Sequence, residues 1–149
     1  MNETSKIREK AIVYCNGCGI DLGCGIDDKI RPEAFGIDGR DSSIVNLKMF
    51  VEDLSIINNN SLDYVYSSHF IEHLENPQKI INEIFRVLKV DGYAVFYMPD
   101  KVLYTEPNPE HLHMWSLSGF KLMFPDNVKI IEEIPKYADY SFFVVGQKQ

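Results

Sequence analysis

The residues with chemistry to offer begin in Gly19-Ile20-Asp21-Leu22-Gly23-Cys24-Gly25, where a short apolar run carrying one acid breaks into two glycines. Such a run reads as a buried parallel strand whose carboxyl end turns sharply into a loop. Glycine there lets the backbone turn tightly and lets a ligand approach it closely. Asp38 ends a second apolar run, and Asp53 ends a third. If the three runs are neighbouring parallel strands, their tips share the edge where open α/β sheets bind ligands. A carboxylate at the second tip can accept from both hydroxyls of a ribose, and one at the third from an adenine amine. Each feature has a plain reading as well. A lone Gly-x-Gly is common, Asp38-Gly39 is a frequent turn pair, and Asp53 could be a solvated strand end. The ordered coincidence of one such feature after each strand carries the nucleotide-type reading.

Cys15 and Cys18 form a C-x-x-C, which invites a redox or zinc reading, and Cys24 sits in the glycine turn. Zinc needs about four ligands, and the first histidine is His69. A redox pair belongs at a helix N-terminus after a strand, whereas this pair leads from a helix into a strand. Reduced cysteines are therefore expected, and no metal site is assigned.

The elements that must position these residues follow from pattern. A chain of 149 residues, 45% hydrophobic and 25% charged, has the composition of one ordinary globular domain, so 1–149 is read as a single unit. No apolar run reaches the ~18 residues of a membrane span, and the polar start is unlike a secretion signal, so a cytoplasmic setting without membrane partners is expected. A net charge of −7 with scattered Lys and Arg argues against nucleic acid. Self-association stays open.

A helix is expected over 5–14 and strands over 20–22 and 34–39, with at most one helical turn between them over 26–33. A short helix over 42–47 and a strand over 49–53 should follow. The clearest strand is 62–67. Asn76 then caps a helix with Pro77 at its first position and Ile80, Ile81, Ile84, Phe85 and Leu88 on its buried face. Asp91-Gly92 closes that helix before a strand over 93–98. A short helix over 118–124 and antiparallel strands over 128–134 and 141–145 complete the chain. Strands alternating with helices imply an α/β fold: a doubly wound, mostly parallel seven-stranded sheet of Rossmann-like type with an antiparallel C-terminal strand and a reduced first crossover helix.

The motifs, taken together, resemble a known family. The first glycine turn, Phe35-Gly36-Ile37-Asp38 and Glu52-Asp53-Leu54 resemble successive motifs of class I S-adenosylmethionine-dependent methyltransferases. The stretch from Leu62 through Ser67-Ser68-His69-Phe70-Ile71-Glu72-His73-Leu74, then Arg86-Val87-Leu88-Lys89 and Asp91-Gly92, resembles the small-molecule "type 11" branch. The likeness spans about 19–99. It departs at Asp27, where a third glycine is usual, and in the nearly absent first helix, a compact form similar to small methyltransferases of glycan and cell-surface biosynthesis.

The resemblance implies S-adenosyl-L-methionine as cofactor. Gly23, Cys24 and Gly25, with Asp21 behind them, would receive its methionine portion. Asp38 would hold the ribose, and Asp53 with the Leu54 backbone would read the adenine. Ser68 and His69 would lie beside the sulfonium. Methyl transfer is an in-line displacement that asks mainly for positioning. A base is needed only where the nucleophile must lose a proton, and the candidates are His69, His111 and His113, with Tyr104 and Glu106 behind them. Each histidine also has a packing reading; one of His111 and His113 could simply rest on Trp115.

For the acceptor, base-amine methylation in this fold goes with an Asn/Asp-Pro-Pro-aromatic segment after the fourth strand, and Ser67-Ser68-His69-Phe70 has no proline. Pyrimidine-carbon methylation needs a cysteine nucleophile on that side, and all three cysteines precede residue 25. A small-molecule or sugar-bearing metabolite is the expected substrate. Two other readings compete. Dinucleotide oxidoreduction fails on spacing: Asp28 stands at the last glycine of G-x-G-x-x-G, and Gly23 and Asp38 are fifteen apart where ~20 is usual. A non-catalytic methyltransferase-like module is compatible with the trimmed first helix.

Overall fold

The computed structural model describes residues 2–49 and 53–149. Helix α1 (Glu3–Ala11) opens the chain and continues as a 3-10 turn, Ile12–Tyr14. Asn2 caps α1, its side chain accepting from the Ser5 N–H at 2.8 Å. Seven strands form one sheet: β1 (Gly19–Leu22), β2 (Phe35–Asp38), β3 (Leu47–Lys48), β4 (Leu62–Ser68), β5 (Leu88–Pro99), β6 (Val128–Tyr137) and β7 (Ser141–Lys148). Helices α2 (Pro77–Val87) and α3 (Leu117–Lys121) lie between them in sequence. The order across the sheet is β3-β2-β1-β4-β5-β7-β6. Strands β1 to β5 pair in parallel, and β7 inserts antiparallel to both β5 and β6. Strand order reverses between β1 and β4, so the tips of β1, β2 and β4 converge at the switch point.

Alternation along the strands divides the core in two. Ile20, Leu22, Val65, Phe96, Phe142 and Val144 face one way, onto the stripe Ile80, Ile81, Ile84 and Phe85 of α2 and Phe120 of α3. Tyr64, Tyr66, Val95, Tyr97, Phe143 and Val145 face the other way, onto Ile7 and Ala11 of α1. Both faces are apolar, so the strands read as continuous hydrophobic runs.

No crossover helix joins β1 to β2. A loop takes its place, plugging Ile30 and Ala34 into the second core. It is pinned by side chains reaching across to backbone carbonyls. Arg8 binds the carbonyls of Ile30 and Lys29, and Arg31 binds those of Cys15 and Ile12. The Asp21 carboxylate accepts from the Ile30 N–H at 2.7 Å.

Several expected boundaries move. The turn at 42–47 is not a helix; it closes through the Val45 N–H on the Ser42 carbonyl at 3.1 Å. Strand β3 starts at Leu47 because Asn46 clamps Gly36, donating its N–H to the Gly36 carbonyl (2.9 Å) while its side chain accepts the Gly36 N–H (2.8 Å). Of the strand expected over 49–53, Phe50, Val51 and Glu52 lie outside the described residues. Leu88 is not the last residue of the α2 stripe but the first of β5, paired with Leu62. The register then jumps to Tyr64 opposite Tyr93, so Asp91-Gly92, with Asp91 at φ 70°, forms a bulge inside a strand rather than a stop before one. Helix α3 is shorter than expected, its Ser116 cap setting its start and its last residue Lys121.

Candidate functional site

Both glycines of the β1 turn are left-handed, Gly23 at φ 72° and Gly25 at φ 71°, and a Cβ on Gly23 would overlap the Phe70 ring. The Gly23 N–H donates to the Ile37 carbonyl at 2.8 Å, and the Gly25 N–H to Asp38 Oδ2 at 2.8 Å. The glycine turn is thereby stitched to the tip of β2. Asp38 also accepts from the Arg40 N–H (2.9 Å) and the Arg40 guanidinium (3.1 Å). Burial alone would raise the Asp38 carboxyl, but the bonds from Arg40 and Gly25 outweigh it and hold the group below the usual carboxylate range. The Arg40 side chain is 61% exposed, so it covers a buried acid while remaining free to leave it.

Around this stitch lies a cleft of ≈ 170 Å³. Its walls are Gly23 to Asp28 and Arg40 on one side, Asn2, Glu3 and Thr4 at the start of α1, and Ser68 and His69 from the tip of β4. Ser68 Oγ is buried beside the Tyr66 hydroxyl. His69 is held at φ 47°, in left-handed space rare for a residue with a Cβ. Its N–H donates to the Tyr97 carbonyl (2.8 Å), its Nε2 meets Ser141 Oγ (2.9 Å), and Glu3 Oε2 lies 3.5 Å away. Burial pushes the His69 imidazole down to about 4, so it is neutral at physiological pH and a weak base. The Cys24 thiol in the cleft wall is pushed up to about 12 by burial, so it is no ready nucleophile. All three cysteines are free.

The other residues singled out from sequence lie elsewhere. Asp21 is buried, does not line the cleft and works through Ile30; burial raises its carboxyl to about 7. Asp53 accepts from the Ser55 N–H at 2.7 Å and lines a separate groove beside α2 with Lys79, Asn82 and Arg86. The Leu54 N–H already donates to Glu83 Oε2 at 3.1 Å, and its carbonyl accepts from the Arg86 guanidinium at 2.8 Å. His113 stacks on Trp115 with ring centroids 5.7 Å apart, and its Nε2 lies 3.2 Å from the Glu75 carbonyl, a packing role. His111 sits against Tyr104 and His73, facing Glu72 rather than the glycine turn. Burial raises the Glu72 carboxyl to about 8, with Glu3 adding to it and the residue's own backbone N–H opposing it. Arg40 lies in no motif, and Phe70 and Glu72, although inside the 67–74 stretch that resembles the family, are singled out only by their neighbours across the sheet edge.

Residues 17–96 match the family of methyltransferase domains. The chain belongs to that family. It is a methyltransferase, and its methyl donor is S-adenosylmethionine. The fold is that of solved relatives of low identity. A chain from the complex between the Haloferax volcanii Trm112 methyltransferase activator and a methyltransferase superposes with a TM-score of 0.76 at 18% identity, covering 98% of this chain and 90% of that one. A SAM-dependent methyltransferase from Archaeoglobus fulgidus gives 0.72 at 18%, with 97% and 92% covered. One from Aquifex aeolicus gives 0.71 at 16%, with 99% and 90% covered. No curated protein matches the sequence. Among the described residues no helix is long and apolar enough to cross a membrane.

Proposed function

We propose that this methyltransferase, acting as one domain, binds S-adenosylmethionine across the tips of β1, β2 and β4 and methylates a small-molecule or sugar-bearing metabolite. The observation that carries the site is the stitch between the Gly25 N–H and Asp38, in a cleft that Ser68 also lines. Gly23, Cys24 and Gly25 would take the amino-acid end of the cofactor against bare backbone. Asp38 would hold the ribose hydroxyls once Arg40 withdraws, and Ser68 and His69 would border the reacting centre. When bound, the cofactor supplies a methyl group already activated on a sulfonium. The chain's own work is then to orient, and to exclude water with Phe70 and the start of α1. Asp53 and Leu54 would support the adenine side only indirectly, since both are engaged with neighbours.

An acidic chain without a proline-bearing segment after β4, and with its cleft cysteine held as a thiol, favours a metabolite over a nucleobase. A neutral, weakly basic His69 suits an acceptor that needs little deprotonation. Calorimetry with S-adenosylmethionine is the test: saturable one-to-one binding is expected, and Asp38→Ala should weaken it more than tenfold. An unchanged dissociation constant in that variant would refute the ribose assignment. Release of S-adenosylhomocysteine across a panel of hydroxylated and glycosylated metabolites, with tRNA and protein as comparison arms, tests the substrate class. Turnover confined to the macromolecular arms would overturn it.

A further inference from the structure

Outside the cleft, three side chains turn their acceptor atoms toward one another. Glu72 and His73 come from the 3-10 turn Ile71–His73, and His111 comes from the strap that follows β5. The strap is tied down by two bonds, from the Leu112 N–H (2.9 Å) and the His113 N–H (3.1 Å), both to the Glu72 carbonyl. Glu72 Oε1 lies 3.6 Å from His73 Nε2 and 4.0 Å from His111 Nε2. The ligand-capable atoms of all three residues fall within 4.8 Å of one another.

Their protonation is constrained by the surroundings. The Glu72 side chain is fully buried, and neither of its carboxyl oxygens is hydrogen-bonded to another of the described residues. His73 Nδ1 lies 2.8 Å from the Glu110 carbonyl, which can only accept, so Nδ1 carries the proton and Nε2 presents a lone pair. That lone pair faces the Glu72 carboxyl. Buried polar groups in native proteins are satisfied, so two buried oxygens to which no other described residue is hydrogen-bonded call for a partner. A cation held among the three side chains would be that partner.

We propose that Glu72, His73 and His111 bind a divalent transition-metal ion. Two imidazoles and one carboxylate are a zinc-type set, suited to borderline metals rather than to magnesium or calcium. Ligands about 2.0–2.1 Å from a tetrahedral ion stand roughly 3.4 Å apart, so the two Glu72–histidine spacings of 3.6 and 4.0 Å need only a small contraction, and the partly exposed His73 can swing in to complete the set. The Nδ1–H bond to a backbone carbonyl is the outer-shell contact that metal-bound histidines make. Tyr104, with its ring centroid 4.9 Å from that of His111, steadies the third ligand. The His73 side chain is 32% exposed, which leaves a solvent side open for water or an acceptor's oxygen. None of the three residues lines the cofactor cleft, and the test reads binding rather than methyl transfer.

The experiment uses the full chain, stripped with chelator and carrying Cys18→Ser so that the exposed thiol contributes nothing. Zinc titrated by calorimetry should bind saturably at one equivalent. Glu72→Gln, which keeps the side-chain shape, and His111→Ala should each weaken it at least tenfold. Cobalt in the chelator-treated chain should give visible bands of a nitrogen and oxygen set, without thiolate charge transfer. Absence of saturable binding, equal affinity in both variants, or a thiolate band would each overturn the proposal. The cobalt spectrum of the unsubstituted site decides even where a variant fails to fold.

Discussion

Asp21 and Asp38 are both buried acids near one turn, yet their surroundings push them in opposite directions. Asp38 has Arg40 and the Gly25 N–H; Asp21 has one backbone donor and little else. Because the folded Asp21 holds its proton up to about 7, its folded state binds more protons than the unfolded chain between pH ~4 and ~7. Its contribution to stability is therefore largest below that window and is lost as pH rises through it. Asp38 behaves oppositely: its contribution is present above the unfolded carboxylate value and is lost only in stronger acid, as pH falls through its depressed value. Asp21→Asn keeps an acceptor for the Ile30 N–H and removes the buried charge. Urea midpoints measured at pH 5 and pH 8 should show the parent losing more stability between them than the variant, in which the buried Glu72 carboxyl still contributes a loss of the same sign. A parent with the same midpoint at both values would rule out the buried-acid account. Arg40 offers a second residue-scale expectation. An ion pair whose arginine faces solvent is worth about 0.2–1 kcal/mol, so Arg40→Ala should tighten S-adenosylmethionine binding by up to about fivefold in calorimetry. Weaker binding would mean that Arg40 contacts the cofactor instead of yielding to it.

Among the elements, the unusual one is the β1–β2 connection, where a loop does the covering normally done by a helix. Ile30 is its anchor, fully buried between α1 and the sheet. Ile30→Ala should cost about 2–5 kcal/mol in urea unfolding, as for other large-to-small core changes. A cost under 1 kcal/mol would mean that the loop is not a structural plug. The lack of a helix here was legible from Pro32 and the charged run before it, and so were β4, α2 and the glycine turn, because each is set by local pattern. The start of β3 was not, since it depends on the Asn46 clamp to Gly36, ten residues away. Nor was the bulge in β5, because Asp91-Gly92 has the same local signature in a turn as in a bulge. The site divides in the same way. Gly23, Gly25 and Asp38 announce themselves in sequence, whereas Glu72 becomes a buried acceptor only when the strap at 111–113 folds over it.

At the scale of the whole molecule, the two faces of the sheet are unequally protected. The α2 face is a broad apolar stripe, while α1 buries only Thr4, Ile7 and Ala11. Elements with few buried contacts open at lower free energy. Amide exchange should therefore run faster in α1 than in α2. Because Asn2, Glu3 and Thr4 border the cleft, saturating S-adenosylmethionine should slow exchange at the start of α1 while leaving α2 unchanged. Slowing confined to α2 would place the ligand on the opposite face, in the groove that holds Asp53.

The lone indole of the chain, Trp115, lies flat against an imidazole at the foot of the strap that bears His111. Light absorbed there is emitted by one fluorophore whose immediate neighbour can quench it. Occupation or release of the strap can thus be followed by intrinsic emission alone, with no dye or label attached.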